Sequence, residues 1–222
     1  MTPTGSALNS ETMAITRNRY PLQRRGEVNG AQNASSAFFN LAGKFFSSLP
    51  PELNAAAQYC YDHKSELIAA STNLALSIEL SLKATAMAHG AKVLRTHNLI
   101  DLFDVLPPHV KKSVELVYDE VVKQIPEKSS AAIEICVSKK PVPPTEKEVD
   151  AASRKYPKGH DIRSVLKAEK DAFVSWRYFY EAGAVDEISV YKIEHMRLCA
   201  VKNALAAHFI ESSKTSKPSG AA

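Results

Sequence analysis

From Asn73 to His89 the chain reads NLALSIELSLKATAMAH, apolar on almost every helical face yet carrying Glu79 and Lys83 one turn apart. A helix apolar all round belongs inside a bundle, where an unpaired charge is expensive, so these two charges must satisfy each other or meet a functional partner. The helical period recurs on both sides of this segment. Upstream, Phe38, Leu41, Ala42, Phe45 and Leu49 repeat at helical spacing as far as Pro50-Pro51. A long helical region then runs from about Glu52 to His89, with a break allowed near Asp62 and a natural stop at Gly90.

Downstream, Thr96 is placed to cap a short helix carrying Leu99, Leu102, Phe103 and Leu106, which Pro107-Pro108 ends. Val110, Val114, Val117 and Val121 form one stripe of a helix lasting to about Ile125, and valine's modest helix propensity means that packing must hold it. From Pro126 to Gly159 the composition turns to Pro, Lys and Ser. There KKPVPPTEKE is incompatible with a regular helix, and AAIEICV reads as a brief strand or an extended loop. Asp161 is expected to cap a helix with Val165, Glu169, Phe173, Trp176 and Tyr180 on one side; a last helix, from about Ile188 to Ile210, presents Leu198, Val201, Leu205 and Phe209. The pattern predicts an all-α domain over residues 34–211, a bundle of four to six helices with residues 126–160 as an irregular surface insertion. Polar composition predicts disordered tails at 1–33 and 212–222.

Composition adds limits more than direction. A chain of 222 residues without a clear central linker reads as one domain, and 45% hydrophobic with 23% charged residues is ordinary for a globular protein. The net charge of +4 is too small to indicate nucleic-acid binding by itself, although Arg17, Arg19, Arg24 and Arg25 crowd the N-terminal tail. Cys60, Cys136 and Cys199 show no CxxC spacing, no secretory pattern precedes them, and no run reaches the ~18 apolar residues of a membrane span. The expectation is a cytoplasmic protein without disulfides and with no membrane partner.

Three groups of residues offer chemistry from their types and spacing. Glu79 and Lys83 are either an i,i+4 ion pair at the edge of a buried helix or a polar pair lining a cleft or dimer seam. In WRYFYE, Trp176 to Glu181, the Arg177 and Glu181 side chains are again one turn apart. They are either structural or a guanidinium held among aromatic rings, an arrangement that suits phosphate or a nucleobase-bearing ligand. Cys60 with His63 and His195 with Cys199 have spacings that put two ligands on one helical face, and together would make a Cys2His2 zinc set, with only ligand type in its favour.

LSIELSLKA at Leu76 to Ala84, then THNLIDLFDVLP from Thr96, and later the helix with WRYFYE together resemble the HEPN superfamily of helical domains over about residues 35–211. The resemblance implies a HEPN-like helical bundle, commonly dimeric, of a kind found in bacterial toxin, phage-defence and RNA-processing systems. By position it assigns polar roles to Glu79 and Lys83 on the second helix, to His97, Asn98 and Asp101 in the turn, and to Arg177, Tyr178 and Glu181 on the aromatic helix. HEPN ribonucleases use an Arg, then four to six intervening residues, then a His, to act on phosphate without a metal. The matching spacing in this chain is Arg154 to His160, and Pro157 and Gly159 inside it argue against the helix that normally presents the pair.

A cleavage site can instead be composed from His97, an imidazole able to exchange protons near neutral pH, and Arg177, stabilising charge on a transferring phosphate. Glu79, Lys83, Asn98, Asp101, Tyr178 and Glu181 would then orient them or hold the ligand. For His97 the alternative is a helix-start histidine bonded to backbone or carboxylate. The expected activity is therefore a nucleic-acid-acting module, as a metal-independent ribonuclease in stress or phage defence, with no cofactor or metal. Its partners would be RNA, an antitoxin-like protein and a second copy of the chain. The alternative is a non-catalytic dimeric scaffold that binds a protein or nucleotide.

Overall fold

The segment that is apolar on all sides lies at the centre of a mostly helical body. In this computed structural model, which describes residues 9–50, 53–125, 133–138, 142, 144–152, 161–178 and 188–215, the elements run in chain order. They are α1 (Asn9–Phe46), α2 (Leu53–Asp62), α3 (Lys64–Ala88), α4 (Leu99–Asp104), α5 (Pro108–Val122), β1 (Ile133–Ser138), α6 (Glu146–Ala152), α7 (Ile162–Ala168), α8 (Ala172–Arg177), β2 (Ile188–Ile193) and α9 (His195–Thr215). Helix α3 buries residues all round its circumference, from Leu67 and Ile68 through Leu74, Ala75 and Ile78 to Leu82 and Ala86. Helices α1, α4, α8 and α9 pack against it, and α5 closes on α9. Among the described residues no helix is long and apolar enough to cross a membrane.

Helix α1 begins well before residue 34, where the polar composition predicted a disordered tail. Its buried face is Val28, Ser35 and Ala42, with Phe39 and Phe46 half-buried against the core, so the helical stripe lies one position away from Phe38, Leu41 and Phe45; Leu41 is exposed. Small residues let the two long helices approach closely. The Ser35 hydroxyl donates to the Ser77 carbonyl at 2.6 Å, which commits its hydrogen, so Ser81 must donate to Ser35 Oγ across their 2.7 Å contact. These bonds satisfy hydroxyls that would otherwise be costly to bury.

The break near Asp62 falls at His63, between α2 and α3. The cap of α4 is Asn98 and not Thr96: Asn98 Oδ1 accepts from the backbone N–H groups of Ile100 and Asp101, while Thr96 Oγ1 accepts from the Asn98 N–H. Pro108 opens α5, whose buried side is Val110, Val114 and Tyr118. Asp161 caps α7 as its sequence suggests, accepting from the Ser164 N–H and hydroxyl; the hydroxyl bond is the main reason its carboxyl lies below the usual range.

Two predicted helices differ in the structure. The helix expected to run from Asp161 to Tyr180 is interrupted at 169–171, because Glu169 turns inward, buried, to accept the Glu194 N–H at 2.9 Å. The last helix starts at His195, since Ile188, Val190 and Tyr191 belong to a strand that pairs antiparallel with β1 in the register Ile133↔Ile193 to Ser138↔Ile188. Part of the expected surface insertion is thus β1, one strand of this two-stranded ribbon, with Ile133 packed against the core and its partner Ile193 on β2 fully buried. The nominally non-helical KKPVPPTEKE contributes the start of α6 through a capping box, in which the Thr145 N–H donates to Glu148 Oε2 at 2.8 Å and the Glu148 N–H returns to Thr145 Oγ1 at 3.4 Å.

Two predictions follow from these placements. Asn98→Ala removes the acceptor for two α4 donors and is expected to cost about 1 kcal/mol in urea unfolding. His195, the first residue of α9, stacks on Phe46 at 4.8 Å and is buried, with no partner for Nδ1 among the described residues, and that burial pushes its pKa down to about 4. An unfolded histidine titrates near pH ~6.5, so between about 6.5 and about 4 the unfolded chain holds a proton that the folded one lacks, and stability falls with falling pH. Melts taken at pH 7, 5.5 and 4.5 should show a loss on the order of 3 kcal/mol. His195→Phe should flatten this dependence, and an unchanged slope would contradict the assignment.

Candidate functional site

The buried charge on α3 organises a polar cluster at the edge of the core. The Glu79 side chain is 4% exposed, and its two carboxylate oxygens are taken by different partners: Lys83 Nζ donates to Oε1 at 2.6 Å, and His97 Nδ1 lies 2.9 Å from Oε2. Lys83 is mostly buried beside it, whereas the His97 side chain is 52% exposed. A carboxylate oxygen can only accept, so the bond fixes Nδ1 as the protonated nitrogen of the imidazole. In the neutral ring Nε2 is then a bare lone pair, and among the described residues it has no hydrogen-bond partner.

Local structure explains why His97 stands there. It occupies the turn just before the Asn98 cap, and the next residue, Leu99, donates its N–H to the Lys170 carbonyl at 3.1 Å. That carbonyl is free to accept because the chain turns at 169–171 between α7 and α8. The interruption thereby bolts the start of α4 to the start of α8. His97 rests against the Phe173 ring, with centroids 4.9 Å apart and planes tilted by 33°.

Arg177 sits one turn further along α8. Its guanidinium carbon is 5.6 Å from the centre of the same Phe173 ring and 5.4 Å from that of Tyr178. Both Arg177 and Tyr178 are exposed, and among the described residues Arg177 has no carboxylate partner. Glu79 is balanced by Lys83, and Arg177 adds a positive charge that has no carboxylate partner among the described residues. The surface therefore offers an oriented imidazole, an exposed guanidinium and an exposed phenol ring.

Glu79, Lys83 and His97 are thus joined by hydrogen bonds, and Arg177 shares the Phe173 ring with His97, with Tyr178 beside it. Asn98 serves the backbone of α4, and Asp101 is exposed on the first turn of that helix, where the macrodipole favours an acid. Glu181 and the Arg154/His160 pair lie outside the described residues. Among the described residues no group of three or more His, Cys, Asp or Glu side chains is placed to hold a metal, so the set of Cys60, His63, His195 and Cys199 does not assemble. Burial raises the Cys60 thiol and pushes Cys199 up to about 11, which makes both poor thiolate ligands at neutral pH.

Phe173 is the residue that sequence reasoning left in the core without a functional part. It is 7% exposed, and its i,i+4 relation to Arg177 was the available signal that the two share a helical face. The Lys170 carbonyl, a main-chain group in an unpredicted turn, had no sequence signature. Comparison of the chain with protein-family models, with curated proteins and with solved structures finds no match in any of the three.

Proposed function

We propose that this surface binds RNA and cleaves its phosphodiester chain without a metal, as the HEPN resemblance implies for a defence- or stress-related module. The observation that carries the reading is the carboxylate-held, half-exposed imidazole of His97, which shares the Phe173 ring with the exposed guanidinium of Arg177. In the reaction so read, His97 Nε2 takes the proton of a 2′-hydroxyl and the 2′-oxygen bonds to phosphorus. The bond to the 5′-oxygen breaks, leaving a 2′,3′-cyclic phosphate and a 5′-oxygen that takes a proton from solvent. Arg177 stabilises the charge that builds on the non-bridging oxygens, and Tyr178 offers a face on which a base stacks.

Glu79 holds the tautomer and the orientation, and Lys83 takes up the other carboxylate oxygen in its buried position. A homodimer and an antitoxin-like partner belong to the same proposal. The exposed Tyr178 and Arg177 favour a second reading, in which the surface binds RNA or a nucleotide and His97 is only structural.

Incubating purified protein with total RNA and a chelator separates the two readings. Cleavage with cyclic-phosphate ends is expected, and binding without cleavage would support the second. His97→Ala is expected to lower the cleavage rate by about 10²–10⁴-fold, and Arg177→Ala by about 10²–10³-fold. Arg177 is exposed, so Arg177→Ala should change circular dichroism and melting temperature little; His97→Ala leaves the buried Glu79 Oε2 without its donor and should lower the melting temperature while keeping the helical circular dichroism. Glu79→Gln should slow cleavage while leaving RNA affinity nearly unchanged, which a purely electrostatic role would not produce.

A further inference from the structure

A second group of imidazoles lies where the end of α3, the start of α5 and the C-terminal half of α9 meet. Gly90, at φ 69°, ends α3 by turning the chain, so that its own N–H reaches the Met87 carbonyl at 3.1 Å and the Ala91 N–H reaches the Ala86 carbonyl at 2.9 Å. This closure fixes His89, the half-buried C-cap of α3. His208 is buried on α9, and its Nε2 lies 3.1 Å from His89 Nε2. His109, the second residue of α5, stands edge-on to His89, with ring centroids 5.6 Å apart.

Two serines fix where the hydrogens of this pair lie. Ser212 donates its hydroxyl hydrogen to the His208 carbonyl at 2.9 Å, so the oxygen it turns to His208 Nε2 at 3.3 Å is an acceptor. His208 therefore carries its proton on Nε2 and donates it to His89 Nε2, which must be a lone pair. In the neutral ring His208 Nδ1 is bare and accepts the Ser113 hydroxyl, 3.0 Å away on α5. Hydrogen bonds thus run from Ser113 through His208 to His89, joining α5, α9 and α3, and the arrangement is complete only while both rings are neutral.

We infer that this chain of bonds is a proton-operated latch: closed at neutral pH, it opens on acidification and frees the last two turns of α9 from α3 and α5, independently of the His97 surface. One proton can be taken without breaking the contact, because a protonated His208 Nδ1 requires only that Ser113 turn its hydrogen away. A second cannot. It would set an N–H on His89 Nε2 against the N–H of His208 at 3.1 Å, with no lone pair left between the rings. The surroundings act in the same sense. Burial first, and neighbouring imidazoles second, lower both histidines; His109 is the group on α5 that acts on each, and Glu211 on α9 is the acid that opposes the trend at His208. Free imidazoles in an open form titrate near pH ~6.5, so below that pH the open form binds protons that the closed one refuses, and opening becomes easier as pH falls.

The test is amide hydrogen exchange of the full chain at pH 7.5 and pH 5, corrected for the intrinsic rate and read for Ala206 to Ser212 against Leu74 to Leu82 in the middle of α3. For one proton refused by the closed form, protection at the end of α9 is expected to fall about 30-fold beyond any change in α3. His89→Gln keeps an acceptor for His208 and cannot titrate, so in this variant the two segments should change together. His195→Phe removes a separate buried imidazole and should retain the extra loss. Two segments changing together in the wild type, a result that needs no variant, would overturn the latch, and so would an extra loss that persists in His89→Gln.

Discussion

A carboxylate buried among aliphatic side chains must find partners, and this requirement at Glu79 shapes the functional end of the molecule. An ionised carboxylate taken from water costs several kcal/mol, on the order of what a small domain has to spare, unless its oxygens are matched by donors. Lys83 meets one oxygen from within the same helix, and His97 meets the other from the turn before α4. The second contact ties a loop to the centre of the bundle. It also converts a core necessity into a surface property, because satisfying Glu79 determines which nitrogen of His97 faces outward.

Several further contacts exist to keep that turn in register. Asn98 caps α4, the Leu99 N–H reaches the Lys170 carbonyl, and Phe173 supports the imidazole from below. Glu169, beside Lys170, is itself satisfied by the Glu194 N–H at the junction of β2 and α9. The interruption between α7 and α8 and the start of the last helix are therefore coupled through one buried side chain. The site is held by hydrogen bonds at the ends of short elements, while the hydrophobic contacts of α3, α1 and α9 supply the bulk of the stability.

How much of this was legible in the sequence depends on the range of the interaction. Glu79 and Lys83 on an otherwise apolar helix could be read directly, because helical spacing is local, and so could the Asp161 cap, the stop at Gly90 and the strand-like AAIEICV. The strand Ile188–Ile193 reads locally as the start of a helix, since its partners lie 50 to 60 residues away and short apolar runs fit either period. The buried stripe of α1 was misplaced by one residue for a related reason: Ser35 is a core residue here only because Ser77 and Ser81 accept and return its hydrogen bonds. The convergence of His97 and Arg177 on Phe173 rests on a turn that exists to bury Glu169, a demand no local pattern announces.

The most direct test of this account reads the protonated nitrogen of His97 by long-range proton–nitrogen correlation on labelled protein, at a pH where the ring is neutral. The account predicts the proton on Nδ1, slow to exchange and held against Glu79, with the ring reverting to the Nε2–H form common to free histidine in Glu79→Gln. An Nε2–H or rapidly averaging ring in the wild type would contradict it, since the imidazole would then not be oriented by the carboxylate at all.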